Sequence, residues 1–314
     1  MNCQNLLGKI ILFVFFISGT PMLRVGADSY TAPNDRTAAS EIQPAYSDLF
    51  CLDTLHQFAF EALKTSYPDL DLKYEQGKLL INDGSQFVFD DGRLKNARQL
   101  LDDPDIFDMF VYAYPIGGVR ISEVDTQINE SNLKLPSRIP YLEDPGRVRV
   151  QEFFNQIYGK SETEVKQRLV PVRWVSSGGK SFLLITNKNG VAQALQRVSD
   201  ELNMNPALWP YLLSPGGSFN WRCIAGTDRL SVHSYGAAVD INVACSDYWH
   251  DQITDEDAKV AYRNRIPAEI IEIFEKNGFI WGGWWYHFDT MHFEYRPELL
   301  EYTRLVASAL QKRP

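Results

Sequence analysis

Ser231-Val232-His233-Ser234-Tyr235-Gly236-Ala237-Ala238-Val239-Asp240-Ile241-Asn242 carries a histidine and, seven residues on, an aspartate. Gly236 lies between them and permits a tight turn, because a residue without Cβ tolerates positive φ. Beyond the turn the chain alternates: Ala238, Asp240 and Asn242 point one way, and Val239, Ile241 and Val243 the other. That period of two predicts a half-buried strand with Asp240 held rigidly on one face. A second stretch, Trp281 to Pro297, contains Trp285-Tyr286-His287-Phe288-Asp289-Thr290-Met291-His292-Phe293-Glu294. It offers another histidine, His292, with a carboxylate three residues earlier. Two imidazoles and one carboxylate are the three-ligand set of a catalytic zinc with one position left open. A further carboxylate close by is the expected general base. On these residues alone, structural roles for the histidines stand beside the metal reading.

Ser-x-His-x-x-Gly-x-Ala-x-Asp at 231–240, followed by Trp-Gly-Gly-x-Trp and Asp-x-Met-His-Phe-Glu, resembles the zinc D-alanyl-D-alanine carboxypeptidase and L-alanyl-D-glutamate endopeptidase family. Members of that family cut peptidoglycan stem peptides on a Hedgehog/DD-peptidase fold. The resemblance covers roughly residues 170–300. It implies an α+β fold, a small antiparallel sheet with flanking helices, preceded by an N-terminal accessory region. It also implies His233, Asp240 and His292 as zinc ligands and Asp289 as the base that takes a proton and passes it to the leaving amine. Arg222 matches the family arginine that polarises the scissile carbonyl, with Arg229 as its rival. Ser231 matches a position near the substrate, and its alternative role is bonding local backbone. His287 is ambiguous between a substrate-facing, a supporting and a merely exposed role. Trp284, with Trp281, Trp285 and Tyr286, lines the cleft or packs in the core. Glu294, two residues past His292 and on the same face, is placed to orient a ligand. Asp289 and His292 are an odd number of residues apart, which puts them on opposite faces of a regular strand. A turn or bulge must therefore separate them if both face one metal.

The rest of the chain sets bounds on this reading. Residues 1–27 read as a secretory leader, with Lys9, the apolar run Ile10 to Ile17 and the small-residue exit Val25-Gly26-Ala27. The run is too short for a comfortable span and no other stretch is long enough. An exported protein, periplasmic or extracellular, with no stable membrane span after leader removal is expected. The chain has 31 basic and 40 acidic residues, a net charge of −9, and the leader removes only the basic Lys9 and Arg24. An acidic chain without basic clusters is a poor nucleic-acid binder. Cys51, Cys223 and Cys245 remain after export, and a Cys223–Cys245 disulfide stands beside separate thiols.

Residues 28–165 form the expected accessory region and 166–314 the peptidase domain. In the first, helical spacing covers Leu52 to Leu63, Asn82-Asp83-Gly84 predicts a hairpin, and Ile106–Tyr114 is apolar in either helix or strand form. Residues 115–145, with four prolines, read as a long loop, followed by a helix from Arg147 to Tyr158. In the second, strands are expected at Val172–Val175 and Phe182–Thr186, and helices after Gly190 and from Pro267. The function expected from the whole is hydrolysis of a peptidoglycan stem peptide by an exported zinc peptidase, foremost a D-alanyl-D-alanine carboxypeptidase. An L-alanyl-D-glutamate-type endopeptidase and a non-catalytic zinc-containing wall-binding module are the alternatives.

Overall fold

In the computed structural model, the described residues are 40–118, 143–179, 181–224, 227–252 and 262–312. The expected leader and most of the 115–145 loop lie outside them. A two-residue strand, β1 (Glu41–Ile42), precedes helix α1 (Leu52–Ser66), whose apolar face Leu55, Ala59, Ala62 and Leu63 is buried. Pro68 follows one residue after the helix ends, where its missing N–H costs nothing. A three-stranded meander follows: β2 (Lys73–Glu75), β3 (Lys78–Leu80) and β4 (Gln86–Val88). The expected Asn82-Asp83-Gly84 turn joins β3 and β4, with Gly84 at φ 90°. Next, β5 (Lys95–Asn96) pairs with β1 and leads into α2 (Ala97–Asp102), closed at its start by a reciprocal Asn96–Gln99 capping box. The apolar 106–114 segment is neither a regular helix nor a strand. It makes a tight 3₁₀ turn at Phe107–Phe110 that buries Phe107, Met109 and Phe110.

The helix expected from Arg147 begins later, as α3 (Gln151–Tyr158), because Val150 is still extended. Gly159, at φ 132°, ends it. Ser161 caps α4 (Glu162–Lys166) by accepting the Glu164 N–H. The expected hairpin is β6 (Leu169–Trp174) with β7 (Ser181–Thr186), and α5 (Val191–Asn203) buries Val191, Leu195, Val198 and Leu202. The four-stranded sheet that carries the site uses β8 (Pro215–Gly217), β9 (Ala238–Asn242), β10 (Phe279–Trp281) and β11 (His292–Tyr295), in the order β10-β11-β9-β8. All its pairings are antiparallel. Helix α6 (Ala268–Lys276) packs against β10 and ends at Asn277-Gly278, and α7 (Pro297–Gln311) packs along α1.

This is the small antiparallel sheet with flanking helices that the sequence implies. A large hydrophobic core runs through it, from Leu55 and Phe89 to Trp281, Phe293 and Val306, with a small separate cluster of Leu100, Val111 and Val148. Residues before and after 165 therefore share one interior. The described cysteines, Cys51, Cys223 and Cys245, are all free thiols. No helix among the described residues is long and apolar enough to cross a membrane.

Candidate metal centre

The pattern read in 238–243 is realised by β9, where Val239 and Ile241 are fully buried and Asp240 is part-buried on the other face. The strand ends at Asn242, so Val243 turns out to solvent. Asp240 lies directly across the sheet from His292, in an antiparallel pair that puts both side chains on one face. His233 arrives from a 3₁₀ turn at Val232–Tyr235, and Gly236 then reverses the chain at φ 62°. A Cβ on Gly236 would stand 2.6 Å from Leu169 Cδ2 and 3.1 Å from the Thr186 nitrogen, so conformation and space both demand glycine there.

Three ligand atoms converge. His233 Nε2 is 3.1 Å from Asp240 Oδ1 and 3.1 Å from His292 Nδ1, and His292 Nδ1 is 3.0 Å from Asp240 Oδ1. Bonds of about 2.05 Å to a tetrahedral zinc would set its ligand atoms about 3.3 Å apart. The triangle fits such an ion with small outward shifts. The opposite nitrogen of each ring is also provided for. His233 Nδ1 meets the Ser218 carbonyl at 2.6 Å, which accepts its N–H and leaves the Nε2 lone pair facing the triangle. His292 Nε2 lies 3.2 Å from Glu294 Oε2. Such carbonyl and carboxylate partners fix ring orientation and raise ligand basicity.

The charges follow from burial and pairing. Burial alone would raise Asp240, but hydrogen bonds from both imidazoles hold it well below the ordinary carboxylate range. Burial likewise opposes ionisation of Glu294, yet the His292 bond and the Arg149 and Arg296 charges bring it to about 2. For His292, burial disfavours the cation while hydrogen bonds to Asp240 and Glu294 push its pKa up to about 10. The site thus stabilises positive charge at its centre.

Asp289 meets the geometric condition set by the sequence. The His292 N–H bonds to the Asp289 carbonyl at 3.2 Å, closing a turn through Thr290-Met291 before β11 begins. Its Oδ1 is buried with no hydrogen-bond partner among the described residues. Burial and the Asp240 charge raise its pKa, opposed by His292, Arg147 and His233. A carboxylate with an orphaned oxygen and a raised pKa, within electrostatic range of His292, Asp240 and His233, is suited to taking a proton.

The other expected residues are placed differently. Trp284 does not line a cleft: it is buried edge-on against Trp281, and its Nε1–H donates to Glu275 Oε1 at 3.2 Å. The indole that reaches the site is Trp285, with its ring centroid 5.3 Å from that of His292. Ser231 is buried and caps the 3₁₀ turn by accepting the His233 N–H, which is the local backbone role. His287 is half-buried and clamped by Asp144, which accepts its backbone N–H at 2.9 Å and meets Nδ1 at 2.7 Å. Arg222 is exposed; its backbone is stitched to the Ser234 hydroxyl and its guanidinium pairs with nothing among the described residues.

One residue was missed. Arg147 stacks over Trp285 at 4.6 Å and bears electrostatically on Asp289 and Asp144. Read as the start of a helix, it carried no signal of its own. The only hint was its place at the end of a proline-rich loop, in the segment that also supplies Asp144 to His287 and the Pro145 carbonyl to the Trp285 N–H.

With that geometry in view, residues 225–295 match the family model described as D-alanyl-D-alanine carboxypeptidase. The motif resemblance is borne out. The matched segment contains all three converging ligands and Asp289, which makes a peptidase of the carboxypeptidase kind the family-level reading. Neither a curated protein nor a solved structure matches the chain.

Proposed function

We propose that the protein is an exported zinc peptidase that releases terminal D-alanine from peptidoglycan stem peptides. The observation that carries this is the triangle of His233 Nε2, Asp240 Oδ1 and His292 Nδ1, with Asp289 one tight turn before His292 and its buried Oδ1 unpartnered among the described residues. A zinc ion held there would supply a Lewis acid and activate water as a nucleophile. Asp289 takes the nucleophile's proton at Oδ1 and returns it to the leaving amine nitrogen. Its raised pKa keeps the protonated form accessible for that second transfer. Arg147 polarises the scissile carbonyl and stabilises the charge that develops on its oxygen. That assignment goes to Arg147 because its charge reaches Asp289, whereas Arg222 lies out in solvent.

The match of residues 225–295 to the family model described as D-alanyl-D-alanine carboxypeptidase favours a carboxypeptidase over the other peptidase readings. Export is supported by the leader pattern in residues 1–27.

The test is zinc content and product mass on purified muropeptides for mature wild type beside Asp289→Asn, Arg147→Met and Arg222→Met. Asp289→Asn should keep its zinc and lose roughly 10³-fold in kcat. Arg147→Met should lose about 10²-fold and Arg222→Met far less. Internal stem cleavage by wild type would make the enzyme an endopeptidase with the same mechanism. Stoichiometric zinc with no hydrolysis would leave a wall-binding module, and a protein without zinc would sink the reading altogether.

A further inference from the structure

Behind His292 runs a line of buried polar side chains that the peptidase reading leaves unused. Glu294 meets His292 Nε2 through Oε2 at 3.2 Å and accepts from Arg296 Nη1 through Oε1 at 3.2 Å. Arg296 Nε in turn donates to Glu298 Oε1, and Glu298 Oε2 accepts from the Tyr67 hydroxyl at 2.8 Å. Every member is buried: His292 is 7% exposed, Glu294 and Tyr67 1%, Arg296 and Glu298 0%. Gly146 makes room for the line, since a Cβ there would lie 3.0 Å from Glu294 Oε1 and 2.6 Å from Ile280 Cδ1. Its carbonyl accepts a further bond from Arg296 Nη1 at 2.7 Å. The line thus begins at the end of α1, in the N-terminal half, and finishes on the ring of a metal ligand.

Stability alone is a weak reason for such an arrangement. Apolar side chains of similar volume commonly replace a buried ion pair at no loss of stability. What a connected buried network does give is fixed orientation, each member polarising and holding the next, although Arg296 Nη2 has no partner among the described residues. If Glu298 loses its charge, Arg296 keeps a single carboxylate, Glu294, and draws it away from the imidazole. His292 then has a weaker acceptor for its Nε2–H, and ligand basicity and ring orientation both suffer.

We propose that Tyr67 and Glu298 are positioning residues of the metal centre, acting through Arg296 and Glu294 to hold the His292 ring with Nδ1 in the ligand triangle. This rests on the zinc reading above. It makes the first helix part of the metal site without touching substrate.

The experiment measures zinc dissociation constants by competition with a chromophoric chelator, and urea midpoints of the zinc-free protein, for Tyr67→Phe, Glu298→Gln and Tyr302→Phe. Tyr302 is the control: it is equally buried, and its hydroxyl has no hydrogen-bond partner among the described residues. Glu298→Gln should weaken zinc about tenfold, the lower end of what lost supporting bonds cost a metal site. Tyr67→Phe keeps its edge-on packing against Phe153 and should shift affinity the same way by less, while Tyr302→Phe leaves it unchanged. Should Glu298→Gln fail to fold, Tyr67→Phe decides alone. Unchanged zinc affinity in folded Tyr67→Phe, whatever its urea midpoint, overturns the proposal and leaves the line as plain core. Wild type that binds no zinc is a different failure, because it removes the metal reading and this proposal with it.

Discussion

Two clusters among the described residues bring ligand-type atoms within 4.8 Å of one another: His233, Asp240 and His292 on the central sheet, and Asp90, Asp91 and Asp105 beside the N-terminal meander. What fills the middle separates them. In the acidic cluster the chain supplies its own cation. Lys95 Nζ lies 3.1 Å from Asp91, 3.0 Å from Asp105 and 2.6 Å from Asp108, with the side chain 2% exposed. Burial would strip its proton, but Asp108 and Asp105 hold the ammonium charged well above the ordinary lysine range. Asp90 is paired separately, with His56. On the sheet, Asp240 is paired among the described residues only with the two imidazoles, both of which also present ligand atoms. A cluster of acids is therefore not by itself a metal site. Two imidazoles and one carboxylate, with no ammonium among them, form a group that could hold an ion.

The contrast can be tested from its strongest consequence downward. Lys95→Met removes a buried cation from three carboxylates, of which Asp105 is buried, and should cost about 3 kcal/mol in urea unfolding. Zinc stoichiometry should not change, and a second zinc in this variant would show that Lys95 occupies a true cation site. Next, zinc-free and zinc-loaded wild type should differ by about 2.7 kcal/mol when free zinc stands a hundredfold above its dissociation constant. Equal midpoints would erase the distinction between the clusters.

The smallest effect lies at acid pH. Burial opposes ionisation of Asp91, but hydrogen bonds from Arg93 and Lys95 bring it to about 2. Its pKa is then lower folded than unfolded, so the unfolded chain takes up more protons on acidification. The stability it contributes is complete above about pH 4 and is lost as pH falls toward 2. Asp91→Asn should flatten that limb of the stability curve, and an unaltered limb would place the charge elsewhere.

Much of the site could be read from local pattern. The alternation in 238–242 placed Asp240 because Val239 and Ile241 have to be buried. Gly236 marked the reversal that carries His233 to the same face, and the spacing of Asp289 and His292 required the turn that Thr290-Met291 makes. Trp284 and Trp285 could not be told apart. They are neighbours of equal chemistry, and the 3₁₀ turn at Gly282–Trp284 decides which indole goes to Glu275 and which to His292. Arg147 was illegible for a related reason: Val150 stays extended where helical spacing starts the helix early.

The sequence by itself determined the ligand types, the strand that presents Asp240 and the turn before His292, because each depends on residues within a dozen positions of one another. Only the tertiary structure decided that Asp240 and His292 face each other across β9 and β11, that Arg147 stacks on Trp285, and that Tyr67 joins the line behind His292. Those contacts bridge long stretches of chain. They are fixed by the burial of one shared core, which no local period encodes.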